Sequence, residues 1–450
     1  MDITRFSRTH SQPTLSRILK KTPTTPHILQ SIYGVLLLCV IMLSGCNKPS
    51  GSAGKLEEFD YQFKNDGSIA ALPVVLPHLY INTENSSPIE SREEYLEGYL
   101  SVDGKGVYDN YEGKIKIRGR GHTSWRVSSK KPYKLKLKNE SAILGLPPAK
   151  NWILLAEYLD GSMLYNSVPY TTGHLLDIPF TNHIIPVEIT LNGEYRGIYV
   201  FTEHKEGGPN RMDVGTDGVV LSFDASFDGD WQFKSESLHL PVMVEYPESE
   251  DMNPAKLSQI QSEYNEFEKT LKGAFPNDLY NQYIDIYTFI DYLIVNDLTL
   301  NQEIFHPKSV YVNKKNGGKY QMGIIWDFDY GFGFPNNHTH YDMDVVNNPV
   351  LPTSSSSGSF FFNIIMKDSR VKKMYGERWK WFRNNKYEQL KQYILNYAEV
   401  IRLGYAKDHE RWGDRDSSDD LDTDIQRLLT WLDARAKFMD EQADKYMGTQ

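Results

Sequence analysis

The chain has 450 residues, a formal net charge of −10, and 40% hydrophobic and 13% aromatic residues. That composition can fill a core and is not that of a disordered chain, and the length suits one large two-lobed unit or two domains. The acidic balance excludes a general nucleic-acid binder, which needs a basic footprint, but leaves room for one local phosphate site.

Residues 1–46 read as a lipoprotein signal. Arg5, Arg8, Arg17, Lys20 and Lys21 are opposed only by Asp2, and an apolar run follows from Ile32 to Leu43. The run is short for a membrane span but sufficient for a signal-peptide core. Leu43-Ser44-Gly45-Cys46 resembles a lipobox, whose Cys is acylated and becomes the mature N-terminus; the alternative is an uncleaved anchor helix. Cys39 lies inside the run, so cleavage leaves Cys46 alone and no internal disulfide or Cys-based zinc site. The expected setting is the cell envelope. The expected partners are a lipid membrane, through acylated Cys46, and an unidentified envelope or surface protein, with no nucleic acid. Residues 47–71 form a tether, polar and Gly/Ser-rich at its start.

Residues 72–218 are mostly strand. KIKIRGRG alternates, with Lys114, Lys116 and Arg118 opposite Ile115 and Ile117, and YKLKLK sets Tyr133, Leu135 and Leu137 against Lys134, Lys136 and Lys138. Side by side, they give a half-buried sheet with a basic outer face. Gly161 to Asp177 reads as a helix. VEITLNGEYRGIYVFTEH is a hairpin turning at Asn192-Gly193. Asn253 to Leu300 is helical, and FIDYLIVNDLTL within it is apolar enough to be buried. SVYVNKKNGGKYQMGIIWDFD returns to strands around Gly317-Gly318, Ser354 to Gly358 is a flexible loop, and Phe360 to Tyr446 is helical. The fold class is α+β with two lobes, about 72–250 and about 251–446 in a domain spanning 72–446.

Three constellations can carry chemistry. Asp327 and Asp329 follow the apolar segment GIIW; in a strand they share a face, and paired carboxylates there call for Mg²⁺ or Mn²⁺. Alternatively, one caps a turn and the other pairs with a basic side chain. Arg118-Gly119-Arg120-Gly121-His122 lies within a stretch from Lys114 to Lys138 that is rich in Lys and Arg and lacks Asp and Glu. Its glycines let backbone N–H groups approach an anion, although a solvated basic face with a glycine turn has the same composition. Asn301-Gln302-Glu303, after the apolar helix, offers a second metal ligand and a general base, or is a plain helix-end loop. Glu203, at a strand end, is exposed or fixes a buried Lys near phosphates. Asp414 to Asp424 is a solvated acidic loop without EF-hand spacing. A glycan hydrolase is disfavoured, because Asp327 and Asp329 are too close to flank a sugar bond.

These pieces occur in one order that resembles the CotH family of kinase-like proteins. KIKIRGRGHTSW followed by KKPYKLKL is similar to its RGRGNSTW…KKPYRLKL, and AKNWILLAEYLDGSMLYNSV to its KNWVLLANYxDKTLLRNxxA. LNGEYRGIYVFTEH is similar to NGxYxGxYLLTE, and FIDYLIVNDLTLNQE…KSVYV…GGKYQMGIIWDFDYGFG to FIDxxLVNELxxNxD…KSxYMYKDxGGKLxxGPxWDFDxxFG. The resemblance implies a protein-kinase-like fold, strand-rich first and helical second, using ATP with Mg²⁺ or Mn²⁺ on a protein or small acceptor. It implies that Lys131 contacts phosphates, that Glu203 positions Lys131, that Asp327 holds the metal with Asp329 or Asn301, and that Glu303 is the catalytic carboxylate. The family has Asp where Glu303 stands, Asn at His122 and Arg at Tyr165. These departures support the other implied role, a catalytically weak or inactive surface binding or assembly protein.

Overall fold

A computed structural model describes residue 63 and residues 67–272, 279–352, 356–413 and 415–448. The signal segment, Cys46, most of the tether and Ser354 lie outside the described residues.

The alternating segments form strands as expected, and the strands close into a barrel. Strands β1 (His78–Thr83), β2 (Leu96–Asp103), β3 (Tyr111–Gly119), β4 (Tyr133–Ile143), β5 (Leu146–Leu155), β6 (Ile185–Leu191) and β7 (Glu194–Glu203) run in the order β1-β2-β3-β4-β5-β7-β6. β6 pairs in parallel with β1 to complete the ring. Ile115 faces Leu137 and Ile117 faces Leu135 across β3 and β4, so the apolar row lies inside and the lysine row outside. Trp152 stacks on Phe201 in the barrel core with ring centroids 4.9 Å apart. The β6–β7 turn is the predicted one: Asn192 and Gly193 take φ of 53° and 80°, the paired left-handed residues that match strand twist. The Asn192 side chain also accepts from the Thr83 N–H, tying the turn to β1.

A second sheet has the order β12-β11-β8-β10-β9, from β8 (Val219–Phe223), β9 (Gln232–Lys234), β10 (Pro241–Tyr246), β11 (Val310–Lys314) and β12 (Gln321–Met322). It joins segments from either side of residue 250. The helices are α1 (Thr123–Val127), α2 (Ser167–Leu175), α3 (Pro254–Leu271), α4 (Ile286–Leu298), α5 (Phe334–Asn337), α6 (Ser357–Ile365), α7 (Ser369–Asn385), α8 (Tyr387–Trp412) and α9 (Leu421–Gly448). The chain is therefore mixed α+β, strand-rich first and helical second. FIDYLIVNDL is α4; it is buried on nearly every side among α2, α7, α9 and β12. Asp285 caps it by accepting from the Tyr287 and Thr288 N–H groups.

Three expectations need correction. The helix expected from Gly161 begins at Ser167, because Met163 sits at φ 54° and Asp160 ties down the Ser162 N–H and hydroxyl. GIIW is not a strand: pairing on β12 stops at Met322. Ser357 and Gly358 open α6 instead of lying in a loop, with Ser356 as the cap.

The barrel and the helices are joined by a buried ion cluster. Lys130 Nζ donates to Asp408 Oδ1 on α8 (2.8 Å) and to the Ile198 carbonyl (2.5 Å), and Arg415 pairs with the other Asp408 oxygen. The side chains of Lys130, Asp408 and Arg415 have no solvent exposure. Burial pushes the Lys130 ammonium down despite Asp408, while Lys130 and Arg415 overcome burial to hold the Asp408 carboxyl low.

Candidate functional site

A cavity of about 200 Å³ opens where the loop after β3 meets the segment after β12. The glycine loop contributes Arg120, Gly121, His122, Thr123 and Ser124. Gly121 has φ 79°, and a Cβ there would lie 2.3 Å from Ser124 Oγ, so the loop needs glycine to fold over α1. Arg120 stands over the Trp326 ring, 5.4 Å from its centroid.

Asp327, Asp329 and Glu303 form the opposite wall. Strand parity does not bring the two aspartates together, since Asp327 is left-handed at φ 65°. A non-glycine residue in that region costs energy and persists only where its surroundings hold it. Three contacts do so: Ser309 Oγ donates to Asp327 Oδ2 (3.1 Å), Asn301 Nδ2 reaches the Asp327 carbonyl (3.5 Å), and the Phe328 N–H donates to Asn166 Oδ1 (3.2 Å). Asn166 in turn donates to Glu157 (2.8 Å), whose carboxyl burial pushes well up.

The wall holds more negative charge than its neighbours neutralise. Burial, then the charge of Asp327, raises Asp329 to about 7, with Arg120 opposing. Burial and Asp327 also raise Glu303, although His306 lies 3.2 Å from its carboxylate. Two further cations line the cavity. Lys205 reaches Glu245 (3.1 Å) and lies over Tyr311. Lys308 makes no ion pair among the described residues; burial disfavours its charge, but Glu303, Asp327 and Asp224 outweigh that and raise it.

The other expected residues sit elsewhere. Lys131 does not line the cavity: its Nζ donates to the Trp125 carbonyl (2.7 Å) and stands over that ring. Glu203 is buried but meets His183, accepting from its N–H (2.8 Å) and its Nδ1 (2.6 Å), so it positions no lysine. Arg118 lies over Tyr95, 5.0 Å from the ring centroid. Asn301 is buried, and its oxygen caps the Glu303 N–H (3.3 Å), leaving it as a support for the wall. Asn166, Lys205 and Lys308 were missed. Asn166 and Lys308 stand inside the quoted LYNSV and KSVYV segments, and Lys205 lies two residues beyond Glu203, but no local pattern marks them as cavity residues.

Among the described residues, no group of three or more His, Cys, Asp or Glu could hold a metal by itself. The donors present are nonetheless carboxylate oxygens, with excess negative charge, beside cations suited to phosphate. That set fits Mg²⁺ or Mn²⁺ bound jointly by one or two carboxylates and a ligand's phosphates, the usual manner for such ions.

The model of the family described as CotH kinase protein matches residues 115–439, which include both walls of the cavity. No curated protein matches the chain.

Proposed function

This chain belongs to the CotH kinase protein family, and from that premise we propose that its cavity binds ATP with Mg²⁺ or Mn²⁺ and transfers a phosphoryl group to a protein or small acceptor. The observation that carries the reading is the shared cavity: Arg120, Lys205 and Lys308 line it together with Asp327, Asp329 and Glu303. Phosphoryl transfer asks mainly for positioning and charge neutralisation, and this arrangement supplies groups for both. Arg120 and Lys308 would hold phosphate oxygens, with Lys205 beside them. Asp327 and Asp329 would hold the cation, and Glu303 would accept the acceptor's proton. The barrel region and the helical region would be the two lobes of a kinase-like fold, carried on a lipid anchor at Cys46 in the cell envelope.

One observation favours a second reading, a binding or assembly protein without transfer. Glu303 stands where the family has Asp and lies close to His306, and a misplacement of ~1 Å costs roughly 100-fold in rate. Thermal unfolding of the full chain with ATP, with and without Mn²⁺, tests the shared premise, since a ligand at 100 times its Kd stabilises a fold by about 2.7 kcal/mol. Stabilisation that needs Mn²⁺ and disappears in Asp327→Asn supports the cavity. Label passing from γ-labelled ATP to envelope protein then separates transfer from binding. Absence of any nucleotide-dependent shift defeats both readings.

A further inference from the structure

We propose that the lysine-bearing outer face of the barrel docks on anionic lipid headgroups, holding the domain against its own membrane. Lys114 and Lys116 on β3, Lys136 and Lys138 on β4, and Lys150 on β5 are exposed and line one shallow groove of about 410 Å³, with Glu97 at its side. The alternation that sends Ile115, Ile117, Leu135 and Leu137 inward forces the intervening lysines outward. The register sets Lys116 directly opposite Lys136. Like charges facing each other across a ladder are destabilising. Among the described residues, Lys116 alone of these lysines is ion-paired, to Glu97 at 2.9 Å. An uncharged polar row would serve the sheet without this repulsion, so the face carries a cost that a negative partner removes.

Charge and the lipid-anchor reading favour a bilayer as that partner. Residues 68–73 share a cavity with Leu144, Gly145 and Leu146, at the tip of the β4–β5 hairpin. Lys138 and Lys150 stand on the two strands of the same hairpin. Upstream, Phe63 packs on Tyr287 and Arg378 and the Gly67 carbonyl accepts from Lys386, so the chain passes from the helices to this hairpin before it reaches β1. The choice of a bilayer rests on the lipid-anchor reading. The stretch from Cys46 to Phe63, which already packs on the fold, can reach at most about 60 Å, which permits several orientations; the lysines select one. A soluble polyanion would be repelled by the rest of this acidic protein, whereas a bilayer meets only the face turned towards it.

The full chain, placed in phosphatidylcholine vesicles with or without phosphatidylglycerol, can be acetylated and its lysines compared by mass spectrometry. Lys114, Lys116, Lys136 and Lys138 should react several-fold more slowly with phosphatidylglycerol present and recover in high salt, while Lys269 and Lys315 stay unchanged. In a Cys46→Ser background, Lys116→Gln with Lys136→Gln should weaken binding to anionic vesicles about 25-fold, at roughly 5-fold per lysine. Equal reactivity in the two vesicle types, or unchanged affinity of the double variant, overturns the proposal. The mass of the N-terminal peptide reports the anchor separately. Protection without an acyl group sinks the anchor reading and leaves the docking face standing; an acyl group without protection sinks the docking face alone.

Discussion

Asp329→Asn should stabilise the ligand-free protein at pH 8. The substitution keeps the side-chain shape, and the Asp329 carboxylate holds no hydrogen bond from another described residue; His340 meets only its carbonyl. Its proton leaves near pH 7 in the fold, against 3.8 ordinarily, because of burial and Asp327. The fold therefore binds this proton more tightly than the unfolded chain does. That contribution is complete below about pH 4, declines as pH rises, and is gone above the folded value. Ionisation at pH 8 costs up to about 4 kcal/mol. Asp329 keeps some solvent contact, so about 1–3 kcal/mol is the expected gain. Urea unfolding at pH 5 and pH 8 measures it, with the advantage of the variant large at pH 8 and shrinking at pH 5. With Mn²⁺ and ATP the order should reverse, since the wild type gains ligand stabilisation that the variant lacks. A variant less stable than wild type at pH 8 without ligand, or an advantage independent of pH, would refute the idea of uncompensated charge in this wall.

Arg120→Ala removes a cavity cation that touches Trp326 from one side, so nucleotide affinity should fall roughly 10- to 100-fold, as for loss of a charged hydrogen bond, with the melting temperature of the free protein nearly unchanged; calorimetric titration reads the affinity and a thermal scan of the free protein reads the melting temperature. Asp408→Ala strands Lys130 and Arg415 in the interior and should cost about 3–5 kcal/mol in urea unfolding, whereas Asp422→Ala, at the exposed pair with Arg402, should cost under about 1 kcal/mol. Gly197→Ala should cost at least about 2 kcal/mol, because φ is 96° and its Cβ would lie 2.2 Å from Asp408 Oδ1; an unchanged denaturation midpoint would contradict the close packing of β7 on α8.

What the sequence disclosed was what short range determines. The rows Ile115–Ile117 and Leu135–Leu137 needed only a period of two, and Asn192-Gly193 only a turn type. Barrel closure depends on β1 meeting β6 in parallel, His78 opposite Glu188, and nothing local to either strand records that pairing. The adjacent residues Lys130 and Lys131 show the same limit at the level of a side chain. They are chemically identical, yet one is consumed by an aspartate 278 positions away and the other by the carbonyl and ring of Trp125. Neither fate follows from their neighbours.

The acidic wall is a different case, because a correct grouping came from an incorrect geometry. Parity on a strand put Asp327 and Asp329 together; the strand is absent, and the left-handed turn at Asp327 produces the meeting instead. The grouping survives because its cause is chemical. Carboxylates crowded in a half-buried wall must share a proton, find cations or bind one, whatever backbone delivers them. Here the protein's own cations are only partly available: Lys205 already meets Glu245, while Arg120 is the first counterweight to Asp329, and His306 and Lys308 are those to Glu303. The upward push on Asp329 and Glu303 comes first from burial and then from the charge of Asp327 that these cations leave unneutralised. That remainder is the reason a divalent cation suits this cavity in the company of phosphate, since such a cation neutralises the wall and a ligand together.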